Sequence, residues 1–311
     1  MFGKSAKYGW MLFVGINLVV AVLVGQWYSS AESHQPSPPP AQMEAALRTY
    51  GPQISDPFNP NLDSQSPPDP SPSPSASPRK PTPQPKYNLS PRIDSSHTVE
   101  WAVMDMKTGL FAGSDNWSKP AYVMSMIKPW IAADYFNQHP LRPTDATLNQ
   151  LASMIVDSND QAAYKYFGGQ ASWDRFVKTC GITDIVERSW SWSLTEISAR
   201  DAVKFGYCIY SGMATTPEWT VWIIDKMQHV RGDGDFGPRE LFQDRTKVAT
   251  KNGWYNWQGK WYVNCLAITD DWAISILQQW PYQGGTLQYG ISLANPVCKS
   301  IANQVLRLNA L

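Results

Sequence analysis

The chain predicts an α+β domain, in which an antiparallel sheet of about five strands is flanked by helices and continues into an all-helical lobe. Three observations predict it. Strand patterns stand near both ends of residues 95–311, helical periods fill the region between them, and the segment is long enough for one sizeable core. Strands at both ends with helices between imply a single sheet that unites the two ends of the domain.

Two segments of different character precede that domain. Lys4 and Lys7 lead into an apolar run from Tyr8 to about Trp27, about twenty residues, which is a length that spans a bilayer. Basic residues before the run, and none close behind it, keep the N-terminus inside and export the rest. Residues 1–30 are therefore expected to form a cytoplasmic stub and an N-terminal transmembrane helix, a single-pass anchor in the cell membrane. Secretion after signal cleavage near Ser29-Ser30-Ala31 is the competing reading. No cysteine lies near the run to carry a lipoprotein anchor. Residues 31–94 turn to Pro, Ser, Gln and Asp and hold most of the chain's 25 prolines. Such a stretch buries too little apolar surface to fold, so a disordered linker is expected, with a brief helix at Met43–Tyr50. Partly extended, it reaches on the order of 100 Å.

Within the domain, Trp101–Asp105 and Leu110–Ser114 read as a hairpin closed by a turn at Lys107-Thr108-Gly109. Ser125 to Gln138 reads as a helix, with Ile127, Ile131 and Tyr135 four apart. Further helices are expected as far as His229. Strands follow near Lys247–Thr250, Trp261–Ile268 and Trp272–Gln279, and a final helix runs from about Leu287 to Leu308.

Three short clusters carry the chemistry: Ser125-Met126-Ile127-Lys128, Ser158-Asn159-Asp160 and Lys251-Asn252-Gly253. Lys128 follows Ser125 at i+3 and projects from the same helix face. A cation in a first turn opposes the helix dipole, a poor place for stability. Its use there would be chemical, because burial and the N-terminal field depress a lysine's pKa until a neutral amine can take a hydroxyl proton. Each cluster also has a plain structural account. Ser125 at a helix start serves as an N-cap, Asp157 to Asp160 read as the cap of a further helix, and Asn252-Gly253 suits a hairpin turn. Their order along the chain favours the chemical account. Ser77-Pro78-Arg79-Lys80, Ser114-Asp115-Asn116 and Lys107-Thr108-Gly109 spell similar motifs, but in a proline-rich stretch or ahead of Ser125, and are set aside.

With these residues in hand, the segment from about Val99 onward resembles the serine β-lactamase and penicillin-binding superfamily, closest in layout to class A β-lactamase-like exported serine hydrolases. Val99–Asp105 with Phe111-Ala112 is similar to the family's opening hairpin, Met154–Ala163 to the stretch around its second motif, and Val248–Gly253 to its Lys-Thr-Gly strand. The resemblance implies a membrane-tethered extracytoplasmic enzyme acylated on Ser125. Lys128 would be its general base, and Ser158 would relay a proton to the leaving amine. Lys251, Asn252, Gly253 and Trp254 would bind substrate beside Asp160, and the N–H groups of Ser125 and Trp254 would form the oxyanion hole. Two such donors are worth about 3–4 kcal/mol each to a developing oxyanion. The implied partner is a peptidoglycan-type D-Ala-D-Ala peptide or a β-lactam-like small molecule.

Two departures qualify that expectation. Asp160 stands where the family places an amide, and an ionised carboxylate accepts hydrogen bonds but cannot donate them. It would pair with Lys128 and weaken it as a base, or favour a substrate bearing an amine. The segment from Gly181 to Arg200 offers Glu187 and Glu196, neither followed by the asparagine of the family's deacylating loop, and Glu196 reads as the start of a helix. Slow deacylation is the consequence. A catalytically inactive binding protein of the same fold is the alternative, and an esterase the third reading.

A formal charge of +0 gives no pointer to nucleic acid. The four histidines match no metal spacing, so neither metal nor cofactor is expected. Arg231 to Gly237 is only weakly similar to a calcium loop and reads as a flexible surface loop. Cys180, Cys208, Cys265 and Cys298 permit two bridges in three pairings, or buried free thiols. Trp190, Trp192, Trp254, Trp257 and Trp261 gather around the motifs, suited to core packing or to stacking on sugar rings.

Overall fold

A computed structural model describes residues 96–308. The expected membrane anchor and linker, residues 1–94, lie outside the described residues. Among the described residues, no helix is long and apolar enough to cross a membrane.

The sheet is built as the two ends of the domain require. Strand β1 (Thr98–Asp105) turns through Gly109, at φ 70°, into β2 (Phe111–Gly113). The Asp105 carboxylate accepts from the N–H groups of Lys107 and Thr108 at 2.8 and 2.9 Å, so Lys107-Thr108-Gly109 is a turn. From the far end of the chain come β6 (Ala249–Thr250), β7 (Gly253–Trp257), β8 (Lys260–Ile268) and β9 (Trp272–Pro281). Strand β1 pairs antiparallel with β9 along the whole length of β1, giving the order β2-β1-β9-β8 with β6 and β7 both on β8. Ala249 faces Ile268 and Gly253 faces Asn264 in one unbroken register. The two are therefore a single edge strand interrupted at Lys251-Asn252, which corrects the reading of Asn252-Gly253 as a hairpin turn. The actual turn is Gln258-Gly259, both at positive φ, between the paired Trp257 and Lys260.

Alternation along the strands divides the core. Ala102, Met104, Leu266, Ile268 and Leu277 face the helical lobe, while Val103, Val263, Cys265, Ile274 and Ile276 face the C-terminal helix. The lobe comprises α1 (Lys128–Gln138), α2 (Asp145–Val156), α3 (Asp160–Tyr166), α4 (Gly169–Cys180), α5 (Ala199–Tyr210) and α6 (Pro217–Gln228). Helix α7 (Leu287–Leu308) covers the opposite face. A small sheet of β3 (Ala121–Tyr122), β4 (Ile185–Val186) and β5 (Glu196–Ile197) leads into the first motif. Glu196 thus lies in a strand. The helix begins at Ala199, where the Ser198 hydroxyl accepts from the Asp201 N–H, so this serine and not Glu196 marks its start.

The cysteine question resolves to Cys180–Cys208 and Cys265–Cys298, with no free thiol. The first bridge ties α4 to α5, and the second ties β8 to α7. The tryptophans divide: Trp192 and Trp261 are buried, whereas Trp190 is 69% exposed.

Candidate active site

Ser125 sits in a short 3-10 turn, Met124–Ile127, that precedes α1. No side-chain cap exists at either helix start, so the N-cap account of Ser125 is not the one realised. Met124 holds a left-handed φ of 50°, a costly conformation for a residue with a β-carbon. The turn is pinned from the small sheet, where Val123 and Met124 N–H donate to Thr195 and Ser193 carbonyls at 2.9 Å. Ser125 lines an open cleft of about 320 Å³ together with Ser158, Asp160, Arg231, Asp233, Trp254 and Tyr255.

Ser158 has the second left-handed backbone of the site, φ 58°. That twist turns its carbonyl onto Lys128 Nζ at 2.6 Å. The neighbouring Asn159 does the capping of α3, its side chain accepting from the Ala162 N–H at 3.1 Å. Ser158 and Asp160 are thereby left to the cleft. Lys128 is fully buried and donates to Ser158 Oγ at 3.0 Å and to Asp160 Oδ1 at 2.6 Å, besides the Ser158 carbonyl. Lys251, also fully buried, donates to the same Ser158 Oγ at 3.0 Å. A hydroxyl oxygen with two lone pairs that accepts from both lysines keeps its own proton to donate elsewhere.

Burial pulls Lys128 down to about 8, against the pull of Asp160 in the other direction. Lys251 is pushed well below the usual lysine range, first by complete burial and then by the charge of Lys128. Trp192 lies under Lys128 with its ring centre 4.7 Å from Nζ, and Trp254 stands 5.6 Å from the Lys251 ammonium. The three acceptors on Lys128 account for its three ammonium hydrogens, and none of them is Ser125.

The strand edge completes the arrangement. Lys251 N–H donates to the Leu266 carbonyl at 3.1 Å, so by antiparallel alternation Gly253 also turns toward β8 while Trp254 N–H turns to the open edge. A β-carbon on Gly253 would lie 2.8 Å from the Val123 carbonyl and 3.0 Å from the Ser125 nitrogen. Only glycine lets the edge strand approach the nucleophile turn this closely. Asn252, expected to bind substrate, faces inward. Its amide donates to the Gly234 and Phe236 carbonyls at 3.0 and 2.8 Å and accepts from the Leu266 N–H. It clamps the loop Arg231–Gly237 to the sheet, so that loop is a wall of the cleft and not a loose excursion. Arg231 at its start is paired with Asp157 at 2.6 Å, and Gln288 of α7 holds Asp233 at 3.0 Å.

Sequence reasoning missed this loop, the Asp157–Arg231 pair and Tyr255 as cleft elements. The glycine pair in Gly232-Asp233-Gly234 was the available signal. Neither Glu187 nor Glu196 lines the cleft. Glu196 is held by Arg188 at 3.1 Å, and Glu187 is bonded to Gln170.

A five-stranded antiparallel sheet with a helical lobe, and a Ser-x-x-Lys turn facing a second serine and a strand-borne lysine, define the serine β-lactamase and penicillin-binding fold. Comparison of the structure with solved ones agrees. PBP-A superposes with a TM-score of 0.53 at 14% identity, over 69% of this chain and 92% of PBP-A. A variant of the TLA-1 extended-spectrum β-lactamase gives 0.53 at 13% identity, over 68% and 94%. The L2 enzyme complexed with relebactam gives 0.52 at 13% identity, over 68% and 91%. No protein-family model and no curated protein matches the sequence.

Proposed function

We infer that this chain is a serine acyl-hydrolase or acyltransferase that forms an acyl-enzyme on Ser125. The observation that carries the reading is the Ser158 hydroxyl held at 3.0 Å by both Lys128 and Lys251 in the cleft that Ser125 lines. In the reaction, Ser125 Oγ attacks the substrate carbonyl and passes its proton to neutral Lys128. The proton then moves through Ser158 Oγ to the leaving nitrogen as the C–N bond breaks. The N–H groups of Ser125 and Trp254 stabilise the oxyanion, and Lys251 beside Ser158 pairs with a substrate carboxylate, which favours the charged form that burial alone disfavours.

D-Ala-D-Ala-type peptides or β-lactams are the substrate class this site suits. A PBP-A mutant of the same fold has been captured as an acyl-enzyme with penicillin G, and the L2 neighbour carries relebactam. Glu187 and Glu196, the glutamates of the segment from Gly181 to Arg200, both stand outside the cleft lining, which supports slow deacylation. The Lys4, Lys7 and Tyr8–Trp27 pattern, with the proline-rich linker, supports a membrane-tethered enzyme whose domain works outside the cytoplasm. The occupied Lys128 hydrogens favour a second reading, an inactive binding protein of this fold.

A fluorescent penicillin and a fluorophosphonate, each tested on wild type and Ser125→Ala, separate the possibilities. Label from both, lost on substitution, is the expected result. Label by the phosphonate alone indicates an esterase, and no label indicates the binding protein. Rapid nitrocefin turnover would refute slow deacylation.

A further inference from the structure

The unusual member of the site is Asp160. Its Oδ1 is 2.6 Å from Lys128 Nζ, yet its side chain is 65% exposed while the lysine is completely buried. The carboxylate is therefore a lid on the lysine with one oxygen turned to the open cleft. Lys128 has no free hydrogen for Ser125 and no lone pair while Asp160 and the two Ser158 oxygens hold it as an ammonium. Acylation needs that lysine to lose a proton, so something must weaken the hold of Asp160.

The surroundings suit a cation. Tyr164 follows Asp160 by one turn of α3, is 64% exposed, and meets the Trp192 ring edge-on at 5.5 Å. Trp192 is the ring that already underlies the Lys128 ammonium. The Trp192 face is taken by Lys128, but the exposed Tyr164 ring one turn from an open carboxylate oxygen is a recognition pattern for an amine. Of the other carboxylates on this wall, Asp157 is paired with Arg231, whereas Asp233 accepts from the neutral Gln288 amide, which does not offset its charge.

We propose that Asp160 and Tyr164 form a docking site for a positively charged amine on the acyl donor, and that docking there releases Lys128 to act on Ser125. The proposal rests on the acyl-enzyme reading and specifies its substrate. A donor ammonium seated on the exposed oxygen of Asp160 offsets the carboxylate and repels the lysine charge. Lys128 then gives one proton to Ser158 Oγ, whose own proton passes to solvent in the cleft, and becomes the neutral amine that takes the Ser125 proton. The cation remains unchanged by the reaction. With a donor that lacks the amine, Lys128 loses its proton only at higher pH.

The test uses paired D-alanyl-D-alanine peptides identical except for a free or acetylated amine on the acyl side. Binding to Ser125→Ala by calorimetry reads docking without chemistry, and acylation of wild type and Asp160→Asn reads release. The free amine is expected to bind about five- to tenfold tighter to Ser125→Ala and to lose that preference in Ser125→Ala/Asp160→Asn. In wild type it should also acylate faster, with the acid limb of its pH profile displaced below that of the acetylated peptide. In Asp160→Asn both limbs should coincide at the lower position. Equal binding of the two peptides overturns the docking site, and tighter amine binding with identical acid limbs overturns the release. Failure of the fluorophosphonate to label wild type defeats the acyl-enzyme reading itself, while the binding arm still decides whether the cation docks.

Discussion

Replacing Gly253 by alanine tests the site through one added carbon. Its β-carbon would stand 2.8 Å from the Val123 carbonyl oxygen, 2.9 Å from Met124 Cβ and 3.0 Å from the Ser125 nitrogen. Ordinary contacts begin near 3.4 Å, so the strand edge and the nucleophile turn must separate by roughly half an ångström. Neither partner yields easily, since Gly253 belongs to a strand paired with β8 and Met124 is already left-handed and tied to Ser193. Overpacking of this kind costs about 1–3 kcal/mol, which lowers the melting temperature of a domain this size by several degrees. The larger effect falls on chemistry. The same displacement moves the Ser125 and Trp254 N–H groups apart, and misplacing such donors costs about a hundredfold or more. The assay is the second-order rate of labelling by fluorescent penicillin, with Gly259→Ala as control. Gly259 has φ 71° in an open turn with nothing near its would-be β-carbon, so its variant should lose stability and keep its labelling rate. A Gly253→Ala protein that labels as fast as wild type would refute the close-approach argument.

Other outcomes follow from the same geometry. The proposed reaction uses Lys128 as a neutral amine, and burial lowers it to about 8, so the acylation rate should climb as pH rises through about 8. Labelling between pH 6 and 10 that shows no such limb removes the lysine from the base role. Glu100 is buried on β1 with neither carboxyl oxygen hydrogen-bonded, and burial raises it from 4.5 to about 7. Its folded value is the higher one, so the associated stability is whole below about 4.5 and is lost as pH rises through about 7. By linkage the loss approaches about 3 kcal/mol. Glu100→Leu should therefore melt higher than wild type by a margin that widens from pH 5 to pH 8, and parallel pH curves would count against it. The two disulfides close loops of 28 and 33 residues, worth about 3–4 kcal/mol each on loop entropy. Denaturant titration of the paired Cys→Ala variants should show both losses, and an unchanged midpoint would contradict the cross-links.

How much of this was legible in sequence depends on the range of the interaction. Strands β1, β8 and β9 and helix α7 were readable because alternation and helical period are local consequences of burial on one face. Strand β7 was not, since Asn252-Gly253 carries the local chemistry of a turn, and only pairing with β8 shows that the strand continues. For the same reason Asn252 reads in sequence as a substrate ligand, although its amide serves the Arg231–Gly237 loop, some sixteen residues away. Ser125, Lys128, Ser158 and Lys251 stand out in sequence because spacing along a helix or strand is local too. That Ser158 Oγ is shared by lysines 30 and 93 residues distant is tertiary information. So is the contrast between a fully buried Lys128 and an Asp160 carboxylate open to solvent. A motif lists the groups, but exposure decides which of them a substrate can reach. In this cleft Ser125, Ser158 and the Asp160 carboxylate face the opening, and the buried lysine behind them answers to what happens at Asp160.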